Sequence, residues 1–134
     1  MTKGFTLIEL IIVLAIVAIV GAILIPNFLN TTDRARLRSD IQSARVLQNA
    51  LDLYNLEQPV PLTGGYVAAL GSMDSLGYVD ARRVAVQTAG AAFELNDGVI
   101  TLNISGARNE NVRTVLFNQL SPLERQQVTG GLGE

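Results

Sequence analysis

Gly4-Phe5-Thr6-Leu7-Ile8-Glu9-Leu10-Ile11-Ile12-Val13-Leu14-Ala15-Ile16-Val17-Ala18-Ile19-Val20-Gly21-Ala22-Ile23-Leu24-Ile25 decides how the rest of the chain is read. From Phe5 to Ile25 only Thr6, Glu9 and Gly21 interrupt an apolar run of Leu, Ile, Val and Ala. A helix of this composition is apolar on every side and has to be buried in lipid or protein. The uncharged part, residues 10–25, spans about 24 Å as a helix, and counting from Phe5 to Leu29 gives about 37 Å, enough for a ~30 Å hydrocarbon core with some tilt. A short polar leader, residues 1–4, precedes it and carries one cation, Lys3.

Three uses of such a segment compete. A secretory signal peptide needs a small-residue cleavage site after the apolar block, and Pro26-Asn27-Phe28-Leu29 offers none. A plain membrane anchor explains the length but not Glu9, because a carboxylate at the head of an apolar helix calls for a partner or for snorkelling to the headgroups. Cleavage after Gly4 would free an α-amine on Phe5, a cation near Glu9 and within reach of a neighbouring chain's Glu9.

Gly4-Phe5-Thr6-Leu7-Ile8-Glu9 and the apolar run behind it resemble the class III signal of type IV prepilins and type II secretion pseudopilins. Pro26 falls where many members of that family carry a helix-kinking proline, and the resemblance is specific over roughly residues 3–57. It implies that a prepilin peptidase cuts between Gly4 and Phe5 and methylates the Phe5 amine. It implies further that Phe5 and Glu9 of neighbouring subunits pair during assembly. The implied function is structural: a subunit of a type IV pilus-like filament, a helical homopolymer drawn from the cytoplasmic membrane by an assembly platform and its ATPase. Before assembly the chain would be single-pass with its head outside, and afterwards part of an extracellular or envelope-spanning filament. The alternative within the family is a pseudopilin of a type II secretion or DNA-uptake system. A third reading is a membrane-anchored binding module, with Arg82, Arg83, Arg108 and Arg113 as a basic patch for DNA. That patch lacks the interleaved aromatic residues of single-strand binders. The absence of Cys departs from the many pilins that close a C-terminal loop with a disulfide. Arg34, Arg36 and Arg38 beyond the apolar run, against Lys3 before it, run counter to the positive-inside rule.

Behind the stem, Pro26 has no N–H to give the Ala22 carbonyl, and Gly21 loosens the preceding turn, so residues 21–26 are the expected hinge. Residues 30–58 form an amphipathic half, with Leu37, Ile41, Ala44, Leu47 or Gln48, Leu51 and Tyr54 on one face. Arg34, Arg38, Asp40, Gln42, Arg45, Asn49 and Asp52 are assigned to the other faces, with Arg36 pairing locally to Asp33 and Asp40. Pro59 and Pro61 end the helix and open a small head, residues 59–134.

The head should be α+β, a small antiparallel sheet packed on the long kinked helix. Asn96-Asp97-Gly98 between Ala91–Asn96 and Val99–Ile104 reads as a tight hairpin, with Arg82–Gln87 as the third strand. Short helices are expected at Tyr66–Leu70 and from Ser72, the second capped by Ser72 or Asp74. Leu76-Gly77-Tyr78-Val79 is similar to a Gly-Tyr-aliphatic element of pilin-like heads. Val112–Leu120 reads as helix or edge strand. Ser121-Pro122-Leu123-Glu124 reads as a capping box starting a helix to Val128, with a frayed end from Gly130.

With no His and no Cys among 134 residues, the common nucleophile–base and zinc sites cannot be built, and no P-loop is present. No catalytic role, cofactor or metal is expected, and the acids show no EF-hand spacing. A net charge of -2 provides no global field for nucleic acid.

Overall fold

The computed structural model describes residues 4–132, so Met1, Thr2 and Lys3 of the leader lie outside the described residues, as do Gly133 and Glu134. The chain forms two compact units, Met1–Thr32 and Asp33–Glu134. The first unit is helical from Leu7, the start of α1 (Leu7–Glu57). Its most apolar stretch is entirely unburied, and by length and composition it can cross a membrane. α1 stays helical through Gly21 and Pro26.

The second unit is built on the rest of α1. Leu37, Ile41, Ala44, Leu47 and Leu51, spaced four, three, three and four residues apart, are all essentially inaccessible. These positions make one stripe of a 3.6-residue helix, and the stripe is the floor of the core. Met73 from α2 (Tyr66–Ser75) and Phe93, Ile100, Leu102 and Ile104 from the sheet region pack on it. Val112, Leu116, Phe117, Leu120 and Val128 close the far side. Gln48 lies at the edge of the stripe and Leu47 in it, which decides between the two.

α2 is one helix where two were expected. Gly71 has open space around it, and the burial of Ala69 and Met73 on either side carries the helix across it. It has no side-chain N-cap. Ser72 instead donates to the Ala68 carbonyl, and Asp74 accepts the Ala81 N–H.

The hairpin is as expected. β1 (Ala92–Asn96) and β2 (Val99–Asn103) pair antiparallel in register from Ala92 with Asn103 to Asn96 with Val99. Asp97 and Gly98 both have positive φ, 51° and 79°, the signature of a type I′ turn. The third strand differs. Residues 82–87 do not extend the sheet; Ala81–Arg83 is a 3-10 turn capped by Asp80. The edge is instead β3 (Val128–Thr129), parallel to β2, so the sheet is mixed, in the order β1-β2-β3. A parallel neighbour needs a long crossover, and residues 104–127 supply it.

That crossover contains a π-helical turn, Val112–Leu116, closed by the Phe117 N–H donating to the Val112 carbonyl five residues back. The wider turn sets Val112, Leu116 and Phe117 together into the core. α3 (Pro122–Arg125) starts at the expected capping box: Ser121 accepts from the Glu124 N–H at 3.3 Å, and Glu124 accepts from the Ser121 N–H at 2.8 Å. α3 ends at Arg125 rather than Val128, because Val128 is needed in the sheet. Gly130 and Gly131 are not frayed: a Cβ on Gly131 would stand 2.7 Å from the Phe117 ring, and the Leu132 N–H donates to the Arg113 carbonyl.

The Ser121 N–H, and then its hydroxyl, hold the Glu124 carboxyl below the usual carboxylate range. A value depressed by folding adds stability that is present above the unfolded value and is lost as pH falls through the folded one. Ser121→Ala is expected to cost about 1 kcal/mol near neutral pH. Glu124→Gln, which keeps the box without its charge, should flatten the acid side of the stability profile. Urea unfolding across pH measures both.

Candidate functional site

The site begins where the helix begins. Gly4, Phe5 and Thr6 precede α1 in irregular backbone, and Phe5 is 93% exposed. The Gly4–Phe5 bond therefore lies outside regular structure, where a protease can take it in extended form. Nothing lies within 4 Å of a Cβ placed on Gly4, so packing within the chain does not require glycine there.

Thr6 is the N-cap of α1. Its hydroxyl accepts the Glu9 N–H at 3.3 Å, and the Glu9 carboxylate accepts the Thr6 N–H at 2.8 Å. Thr6-Leu7-Ile8-Glu9 is thus a reciprocal capping box at the head of an apolar helix, where the macrodipole also favours an anion. The signal for it, Thr-x-x-Glu before an apolar run, stands in the sequence. The sequence reading sought a partner for Glu9 in another chain and overlooked the one in its own first turn. Glu9 forms no ion pair among the described residues, so its charge remains available to a cation. Gly4, Phe5, Thr6 and Glu9 line one shallow depression, so the structure brings together the proposed cleavage, methylation and assembly residues. Gly21 and Pro26 lie farther along α1, apart from that group.

A second set of polar residues was not anticipated at all. Asp40 is fully buried and carries no local ion pair to Arg36; its Oδ1 accepts the Gln87 N–H at 2.8 Å and its Oδ2 the Thr88 N–H at 2.7 Å. Gln48 accepts the Ile100 N–H at 2.7 Å and donates to the Gly98 carbonyl, fixing the hairpin. Asn55 accepts the Leu62 N–H, Arg45 donates to Gln127, and Asp33 accepts from Asn109. Asp33, Asp40, Gln48 and Asn55 follow one another at seven, eight and seven residues, close to whole turns. They bracket separate loops of the head to α1. The expected Asp33–Arg36 pair is present at 3.6 Å.

Tyr78, in the Gly-Tyr-aliphatic element, donates its hydroxyl to Glu57 and accepts from Gln58. The bond to Glu57 raises the Tyr78 pKa above its usual value. Tyr78 also meets Tyr54 edge-on at 5.4 Å. This ties the end of α1 to the turn after α2. Of the four arginines considered for DNA, Arg82 and Arg83 share Asp80 at 3.9 and 3.4 Å, and Arg113 is half-buried with its Nε inaccessible.

Residues 1–25 match the family model of the prokaryotic N-terminal methylation motif. The chain is 31% identical over 55 residues to the type II secretion system core protein G of Escherichia coli, covering 41% of this chain and 38% of that protein. It is 30% identical over 106 residues to the type IV major pilin protein PilE of Neisseria gonorrhoeae, covering 79% of this chain and 64% of that one. It is 67% identical over 33 residues to the type IV wide pilus major component PilA4 of Thermus thermophilus, a quarter of each chain. The chain thus spans less than two thirds of the length of the curated relatives it matches. No solved structure matches it.

Proposed function

We propose that the chain is a type IV pilin or type II secretion pseudopilin, a structural subunit of a helical filament, processed after Gly4 and polymerised through its N-terminal helix. In this reading residues 1–4 are a leader, 5–29 the membrane and assembly helix, 30–58 its amphipathic continuation and 59–134 the head. Phe5 is the methylated N-terminus of the mature subunit, and Gly21 and Pro26 give the stem its hinge. The subunit is stored in the cytoplasmic membrane with its head outside. A prepilin peptidase, an assembly platform and an ATPase act on it, and it performs no catalysis of its own.

The observation that carries the reading is the capping box that holds Glu9 at the mouth of a helix in which none of the described residues before Asp33 is buried. Such a helix is stable alone only in lipid, or bundled with copies of itself. A freed Phe5 amine is the cation that Glu9 lacks. Bundling by a heterologous contact does not close on itself and grows as an open helix.

A short secretion pseudopilus is the second reading, favoured by the match over 55 residues to core protein G. Intact-mass spectrometry on material sheared from cells, beside the membrane fraction, tests both. An abundant sheared species beginning at methylated Phe5 is the expected result for a surface pilus. The same species confined to membranes supports the pseudopilus. A chain that keeps residues 1–4 in a cell with an active peptidase overturns the processing step.

A further inference from the structure

The arginines that open the second unit have no place in the assembly reading above. Arg34, Arg36 and Arg38 are all exposed. Two acids near them in sequence would be their natural counter-ions, and the fold has committed both elsewhere. Asp40 is buried and holds the amides of Gln87 and Thr88. Asp33 accepts from Asn109 and keeps only Arg36, at 3.6 Å. Glu124 feels Arg38 and Arg45 at longer range, but its carboxylate is taken by the Ser121 amide.

Arg34 and Arg38 are left without an ion pair among the described residues. They stand four residues apart on α1, the spacing at which side chains are neighbours and like charges repel. A single anion between the two guanidinium groups removes that repulsion, and a phosphodiester fits their planar forks. Arg34 follows Leu29, the end of the apolar run, by five residues. At about 1.5 Å per residue that interval sets Arg34 about 7.5 Å beyond the apolar run, within the headgroup layer, about 5–8 Å deep on each side of a bilayer. Arg38 stands one turn farther, about 13.5 Å out, and reaches the same phosphate by leaning its long side chain back towards the helix N-terminus.

We propose that Arg34 and Arg38 bind the phosphate of an anionic lipid headgroup, seating the unassembled subunit at the outer surface of its membrane. The inference rests on the reading of residues 5–29 as a membrane span with the head outside. It accounts for the positive charge that stands on the wrong side for the loop-charge bias, since a bound anionic lipid neutralises it there.

The test uses the full chain reconstituted in phosphatidylcholine vesicles, with spin-labelled phosphatidylglycerol and spin-labelled phosphatidylcholine competing for its lipid contacts. The wild type is expected to prefer phosphatidylglycerol about fivefold at low salt and less at high salt. Arg34→Gln with Arg38→Gln should bring the ratio to near one, while Arg82→Gln with Arg83→Gln, an exposed pair in the head, should leave it unchanged. A ratio of one in a wild-type chain that resists extraction by alkaline carbonate overturns the lipid site alone. A chain stripped by carbonate overturns the membrane span and the site with it. Equal loss in the two double variants reduces the effect to net charge, and erasure by millimolar inorganic phosphate makes it a free-anion site. Either result overturns the proposal. So does an assembly defect in Arg34→Gln/Arg38→Gln with the lipid preference intact, which assigns the pair to a second copy of the chain.

Discussion

Asp40→Ala is expected to destabilise the head by about 3 kcal/mol, the largest effect of any polar substitution in it. Asp40 is inaccessible to solvent, and its two oxygens are the acceptors for the Gln87 and Thr88 amides. Hydrogen bonds to a charged group contribute about 1.5–3 kcal/mol each, and a buried amide left without an acceptor carries its full desolvation cost. Part of that loss is offset, because a buried carboxylate with no cation beside it is itself costly. Asp40→Asn keeps one acceptor and turns an NH2 group towards the other amide, so it recovers at most half. Asp52→Ala, at an exposed residue that accepts from Gln48 Nε2, should cost a few tenths of a kcal/mol. Denaturant unfolding in detergent, followed by near-UV circular dichroism of the tyrosines, measures all three. A loss below about 1 kcal/mol for Asp40→Ala would show that the residue-84–91 segment is held by its apolar contacts, Val84, Val86 and Ala91, and not by the carboxylate.

Glu9→Leu is expected to reduce filament yield at least about tenfold, a difference of 1.4 kcal/mol or more per added subunit. Insertion and head stability should not change. Leu can neither cap the Thr6 amide nor meet a cation. Glu9→Gln separates the two roles, since Gln at the third helical position still completes a capping box. Failure of both variants assigns the assembly role to the charge; assembly by the Gln variant alone assigns it to the cap. Normal filaments from the Leu variant would remove Glu9 from the assembly contact. Yield is read from sheared fractions, and head stability from the unfolding midpoint of the same preparations.

Much of this was legible in the sequence. The apolar stripe from Leu37 to Leu51, the Asp97-Gly98 hairpin and the Ser121 capping box each rest on contacts within a few residues, so local pattern sufficed. Asp40 shows why the rest was not legible. It lies three residues after Leu37 and four before Ala44, in the middle of the apolar face, yet a carboxylate there reads as solvated until its acceptors are assigned to amides 47 and 48 residues away. β3 fails for a related reason. Two residues have no periodicity, and their partners, Leu102 and Asn103, lie across the crossover. The alternation around Val84 and Val86 imitates a strand, although the amides that follow are spent on Asp40 instead of on a neighbouring strand. At the proposed assembly site the residue types were legible and the capping geometry of Thr6 was missed.

The evenly spaced brackets on α1 have a kinetic consequence for hydrogen exchange. The amides of Leu62, of Gln87 and Thr88, and of Ile100 belong to three separate segments of the head, and most such amides would exchange through local fluctuations of their own segments. Here each has its acceptor on the same helix, in Asn55, Asp40 or Gln48. Deuterium can reach them only when a segment parts from α1. Loops far apart in sequence therefore inherit the slow clock of a single rod, and their protection should collapse together when that rod is loosened.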